Sequence, residues 1–99
     1  MIHLRISDDA LHDLNEGFLF YEAHQAGLGD YFATCLRADI EGLRLTAGVH
    51  GVVYQDYYRL LSRVFPYGVF YTRQTDVVVV WAVIDLRRDP DWIRTRLNP

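Results

Sequence analysis

Ninety-nine residues suffice for one domain with a small core, and an apolar fraction of 51% excludes a disordered chain. Thirteen acidic residues against ten basic ones leave a net charge of −3, which argues against a protein whose main task is gripping phosphate backbones. A single cysteine, Cys35, excludes an internal disulfide and a multi-cysteine metal site.

All ten basic residues are arginine, and seven of them fall from Arg59 onward. The N-terminal half holds most of the acid, so local positive potential can coexist with a negative total. The start, "MIHLRISDD", lacks the basic-then-apolar pattern of a signal peptide. The longest apolar run, Val77 to Ile84, is eight residues and reads as a strand rather than a membrane span. These features predict one cytoplasmic domain over residues 1–99, without membrane attachment.

In "IHLRI", Ile2, Leu4 and Ile6 alternate with His3 and Arg5, the mark of a half-buried strand. "SDDA" follows. Ser7, Asp8 or Asp9 can accept the free amides of a helix start, and the acids suit its dipole. Ala10, Leu14, Phe18 and Tyr21 then share one helical face. "AGLGD" breaks the pattern. Phe32, Leu36, Ile40 and Leu43 form the apolar stripe of a second helix, so the two helices should make an antiparallel hairpin. Cys35 lies beside that stripe and reads as a small core residue.

"TAGVHG" reads as loop. Three strands are expected after it, from "QDYYRLLSRVF", "GVFYTR" and "DVVVVWAVIDL". The last is apolar on both faces and should be central. Asp89 as N-cap with Pro90 in the first turn predicts a short terminal helix. The order is β-α-α-β-β-β plus that helix. It is an α+β fold with the hairpin on one face of a small, mostly antiparallel sheet.

One sheet face then lacks a cover. Strand alternation places Tyr57, Arg59, Arg63 and Phe65 on one side, with Arg59 and Arg63 about 13 Å apart. Tyr71 and Arg73 share a side of the next strand. Arg87 and Arg88 arrive at the end of the last. An arginine- and tyrosine-rich surface away from the helices is one reading; a solvated face with ion pairs to Asp56, Asp76 and Asp85 is the other. Trp92 reads as an anchor on the sheet edge. No phosphate loop is present, and His3, His12, His24 and His50 lack metal-ligand spacing, so no metal or cofactor is expected.

Several segments together resemble the RelE/ParE superfamily of toxins from bacterial type II toxin–antitoxin systems. They are "SDDALHDL", "YEAHQAGLGDYFATCLRADIEGL", "VFPYGVFYTRQTDVVVVWAV" and "RRDP", in the family's order and over nearly the whole chain. The resemblance implies a cognate antitoxin, encoded by a neighbouring gene, whose C-terminal segment wraps the toxin. It implies contact with operator DNA only through that antitoxin.

RelE-like members cleave messenger RNA on the ribosome. ParE-like members poison DNA gyrase. The nuclease pattern fits poorly here. Gly68 stands where an arginine is usual, lysines are absent, and no tyrosine follows Tyr71. Arginine stays protonated and is a poor base. Asp85 and Leu86 also depart from ParE relatives, where a histidine and a small residue are common. The resemblance therefore implies a ParE-like toxin acting on gyrase, with a ribosome-dependent nuclease or a degenerate antitoxin-binding member as alternatives. Catalytic residues, in the nuclease case, would be Arg59, Arg63 and Arg87. Candidates for antitoxin or target contact are Arg59, Arg63, Tyr71, Arg73, Arg87, Arg88 and Trp92.

Overall fold

Strand β1 (His3–Ile6) ends where Ser7 turns the chain into helix α1 (Asp8–His24). The Ser7 hydroxyl accepts from the Ala10 amide at 3.1 Å, and Asp8 and Asp9 occupy the first turn. This is the cap that the sequence predicts, and it satisfies an amide the helix itself cannot. The computed structural model describes residues 1–98. Helix α2 (Leu28–Glu41) returns antiparallel to α1, followed by one turn of helix, α3 (Leu43–Thr46). Strands β2 (Val52–Tyr54), β3 (Tyr57–Leu61), β4 (Tyr67–Gln74) and β5 (Val77–Asp85) follow, and helix α4 (Pro90–Leu97) closes the chain.

The hinge between α1 and α2 is built by Glu22. Its carboxylate accepts from the amides of Gly27 and Gly29 at 2.9–3.1 Å, which stands in for a side-chain cap on α2. Gly17 sets how closely the helices meet. A Cβ there would lie 2.4 Å from the Phe32 ring, so the missing side chain is the space Phe32 fills.

The five strands run in the order β1-β5-β4-β3-β2, with β1 parallel to β5 and the other pairs antiparallel. The main core lies between hairpin and sheet. Ala10, Leu14, Phe32, Leu36 and Ile40 meet Tyr67, Val69, Tyr71, Val78, Val80 and Val83 there. A smaller cluster on the opposite face joins Phe70, Ala82 and Ile84 to Leu97 of α4.

A bulge at Trp81 explains why the eight-residue apolar run suits both faces. Phe70 pairs with Ala82 and Tyr71 with Val80, so Trp81 is an extra residue. Val78 and Val80 face the helices before the bulge, and Val83 faces them after it. Ala82 and Ile84 fall to the other side.

The fold class is α+β, as expected, with four strands rather than three after the hairpin. Strand β2 follows the segment read as loop, in residues between it and the first expected strand that had been given no element. Strand β3 is shorter than expected and stops at Leu61, because Ser62 and Arg63 turn away to bind α2.

Candidate functional site

Of the two readings of the open face, the arginine- and tyrosine-rich surface is broken up, because Tyr71 and Arg73 turn to the helix side. Among the strand arginines, Arg59 lies on the face away from the hairpin, opposite Phe70 and on the side of Tyr57, whereas Arg73 shares the side of Tyr71. The Arg59 stem crosses Gly68, where a Cβ would meet Arg59 Cδ at 3.3 Å and Leu86 Cδ2 at 3.0 Å. Tyr71 pairs with Tyr58, not with Tyr57 or Arg59, and the antiparallel register therefore turns it toward the helices. It is fully buried and stacks on Tyr58 with ring centroids 5.2 Å apart. As a surface contact, Tyr71 is corrected to a core residue.

Its hydroxyl pins the loop after α3. The Gly48 amide donates to it at 3.0 Å, and His50 Nδ1 lies in hydrogen-bond contact with it. Burial raises the Tyr71 phenol and lowers His50. Arg73 serves the same loop, donating to the carbonyls of Ala47 at 2.6 Å and Thr75 at 3.1 Å.

Arg63 lies beyond the end of β3, so strand alternation no longer governs it. Its Nε donates to Asp39 at 3.1 Å, and the Ser62 hydroxyl donates to the same carboxylate at 2.9 Å. Asp39 is the buried acid that ties α2 to the β3–β4 connection. The Arg63 side chain is 80% exposed. Phe65, expected beside Arg59, packs instead on Tyr21 and Phe32 in the main core.

Arg87, Arg88 and Trp92 do come together, at the end of β5. Arg87 grips Asp85 with two side-chain nitrogens, at 3.0 and 2.7 Å, and with its own amide at 2.9 Å. The Arg87 guanidinium holds the Asp85 carboxyl below its ordinary value, and that carboxylate in turn holds Arg87 up. Arg88 lies over the Trp92 ring, 4.0 Å from its centre. Trp92 is half exposed, so the anchoring expected of it falls to Leu97 and Ile93. The cap of α4 is as expected: Asp89 accepts from the Asp91 amide at 2.8 Å with Pro90 in the first turn.

These residues rim a cavity of about 530 Å³ between α1, the end of β5 and α4. His12, Asp13, Glu16, Phe20, Tyr67, Val83, Ile84 and Arg96 are also in its wall. Asp13 and Arg96 pair at 2.6 Å. Neither was a candidate from sequence. Asp13 has the polar-face position of a solvated helical acid, and only the arrival of β5 and α4 gives it partners, the Val83 amide and Arg96.

Tyr67 is pushed to about 12, first by burial and then by Tyr21 and Asp85. It therefore stays protonated at neutral pH. Asp85 is ionised but occupied by Arg87. The cavity offers fixed cations, an aromatic wall, two carboxylates engaged by arginines and the exposed His12–Glu16 pair. Among the described residues no group of three or more histidine, cysteine or acidic side chains is placed to hold a metal ion. No described helix is long and apolar enough to cross a membrane.

The fold has a solved counterpart. It is similar to a chain of the "Chromosomal ParDE TA system from P. aeruginosa", with a TM-score of 0.77 at 11% identity. The match covers 84% of this chain and 94% of that one. No protein-family model matches the chain, and no curated protein matches it in sequence. The shared architecture is the α+β arrangement expected from the sequence, found at an identity where sequence comparison is silent.

Proposed function

We propose that this chain is the toxin of a type II toxin–antitoxin system, ParE-like, which stops growth by acting on DNA gyrase and is neutralised by a cognate antitoxin. The observation that carries this reading is the near end-to-end fold similarity to a chain of the ParDE system. Its proposed place is the cytoplasm, its partners the antitoxin and gyrase, with operator DNA met only through the antitoxin. Arg59, Arg63, Arg87, Arg88 and Trp92 remain its proposed contact residues, and Tyr71 and Arg73 are assigned to the loop they hold.

The choice of gyrase over messenger RNA rests on the chemistry of the side chains. Cleavage by 2′-hydroxyl attack needs a proton acceptor, a donor and cations for the phosphorane. The cations exist. Asp85, the acceptor at the cavity, has its pKa lowered by Arg87, which makes it a weak base. The space above Gly68, where nuclease relatives carry an arginine, holds the stem of Arg59.

The test is induction of the chain in bacteria, scored for growth, for the DNA-damage response and for codon-position cleavage of messenger RNA on ribosomes. Arrest with DNA damage and without cleavage is expected. Cleavage without DNA damage, lost on Arg87→Ala, would restore the nuclease reading. Normal growth at confirmed expression would leave a degenerate, antitoxin-binding member.

A further inference from the structure

Helix α4 covers only one end of the sheet face that lies away from the hairpin, over Phe70, Ala82 and Ile84. The other end is open, and register fixes what stands on it. Leu4, Val78, Tyr71 and Tyr58 face the core. Their chain neighbours Arg5, Val79, Thr72 and Tyr57 therefore face the other way, with Arg5 opposite Val79 and Val79 opposite Thr72. Arg59 stands on the same side of β3, two residues past Tyr57.

Trp81 is the extra residue of the β5 bulge, and the bulge aims its ring at this face. Two hydrogen bonds hold it there. The Ser7 hydroxyl donates to the Trp81 carbonyl at 3.3 Å, and the indole Nε1 donates to the Thr72 hydroxyl at 2.8 Å. The ring is still 42% exposed. An indole whose polar edge is already bonded within the chain offers a partner its apolar surface. Because its position is set in advance, ordering it on contact costs little. Charge decides what can lie beside it. No strand position on this face carries a carboxylate. Among the described residues, the Arg5 and Arg59 guanidinium groups make no hydrogen bond or ion pair. Strand spacing puts the two residues about 15 Å apart, one on each side of Trp81.

We propose that this face is where the toxin meets its target, through an acidic patch on folded gyrase in which an apolar side chain lies between two carboxylates. The inference rests on the toxin reading and names the surface through which it acts. Trp81 packs on the apolar side chain, and Arg5 and Arg59 pair with the carboxylates. A flat sheet face with its side chains already placed suits a folded partner, whereas an extended segment is held by an edge or a groove. Two guanidinium groups are few for a phosphate backbone, whose binders neutralise about 6–10 phosphates, and this chain has a net charge of −3. A second copy would set the same arginines against each other.

The test compares the natural chain with Arg5→Glu, which reverses an exposed charge, and Trp81→Ala, which removes the anchor. Growth arrest at equal soluble expression, binding to purified gyrase, binding to the product of the adjoining reading frame and thermal unfolding are measured. Each variant weakens gyrase binding by about tenfold or more and relieves the arrest. Arg5→Glu unfolds as the natural chain does and binds the antitoxin within about twofold of it. Full arrest and full gyrase binding in both variants overturn this face and leave the toxin reading intact. Loss of antitoxin binding with gyrase binding kept assigns the face to the antitoxin and overturns the proposal. Binding of a single-stranded oligonucleotide that Arg5→Glu abolishes assigns it to nucleic acid and does the same. Arrest by a natural chain that does not bind gyrase overturns gyrase as the occupant, and a natural chain that neither arrests growth nor binds gyrase overturns the toxin reading as well.

Discussion

Asp13 of α1 accepts a hydrogen bond from the Val83 amide of β5 at 2.9 Å, across 70 residues of sequence. The same carboxylate oxygen takes Arg96 of α4 at 2.6 Å. One acid therefore joins the hairpin, the free edge of the sheet and the terminal helix.

Asp13→Ala leaves the Val83 amide and the Arg96 guanidinium without their acceptor in a partly buried place. Hydrogen bonds to charged groups of this kind are worth about 1.5–3 kcal/mol, so the variant should lose about 2–3 kcal/mol. Urea unfolding measures the loss. Faster exchange at the Val83 amide, before global unfolding, places the defect at this junction. A loss under about 0.5 kcal/mol, the scale of an ordinary surface change, would show that α4 does not depend on the bond.

Asp13 and Asp85 should act in opposite senses on the acid limb of stability. Burial, the largest influence on Asp13, raises its carboxyl above the ordinary 3.8 despite Val83 and Arg96. Its contribution is fully present below the unfolded value and is lost as pH rises through the folded one. Asp85 is lowered, chiefly by the Arg87 side chain. Its contribution is present above the unfolded value and is lost as pH falls through the folded one. Between about pH 6 and about pH 3, Asp85→Asn should therefore lose stability less steeply than the natural chain, and Asp13→Asn more steeply. Urea midpoints across that range give the slopes, and equal slopes for all three proteins would refute the assignment.

Asp39 and Arg63 form one ion pair with unequal ends. The Asp39 side chain is 4% exposed and also serves the Ser62 hydroxyl, whereas Arg63 is 80% exposed. Asp39→Ala should destabilise by about 2–3 kcal/mol, since it strands a part-buried hydroxyl and the turn that carries it. Arg63→Ala should change stability by less than about 1 kcal/mol. If Arg63 also meets the antitoxin, the same variant weakens the complex while the free chain unfolds almost unchanged. Titration calorimetry and urea unfolding on one protein preparation separate the two roles.

Arg59 is an arginine through which the face opposite the hairpin can act. Arg59→Ala should reduce growth arrest at equal expression and leave the unfolding midpoint within about 0.5 kcal/mol, because its guanidinium carries no internal hydrogen bond among those described. Undiminished arrest would remove this face from target recognition and turn attention to the rim formed by Arg87 and Arg88.

Local chemistry carried much of the architecture. Ser7 before two acids, and Asp89 before Pro90, are caps whose partners lie within three residues, so the sequence alone locates both helix starts. Apolar steps of four, four and three describe the hairpin for the same reason. A helix repeats over a distance that the sequence contains. The contact of Arg88 with Trp92 is equally local, within one short connection, though the sequence pattern read Trp92 as a sheet-edge anchor.

Faces and partners across the sheet were decided elsewhere. The register of β3 on β4 sets Tyr58 against Tyr71, which buries a tyrosine that alternation alone had placed in solvent. The Trp81 bulge shifts the phase of β5 by one residue, a change that a run of apolar side chains cannot reveal. Arg63 leaves its strand because Asp39, on another element, draws it in. Each depends on contacts between residues far apart in the chain. The sequence by itself determined which elements form and in what order; the tertiary structure decided which side of each strand meets the core.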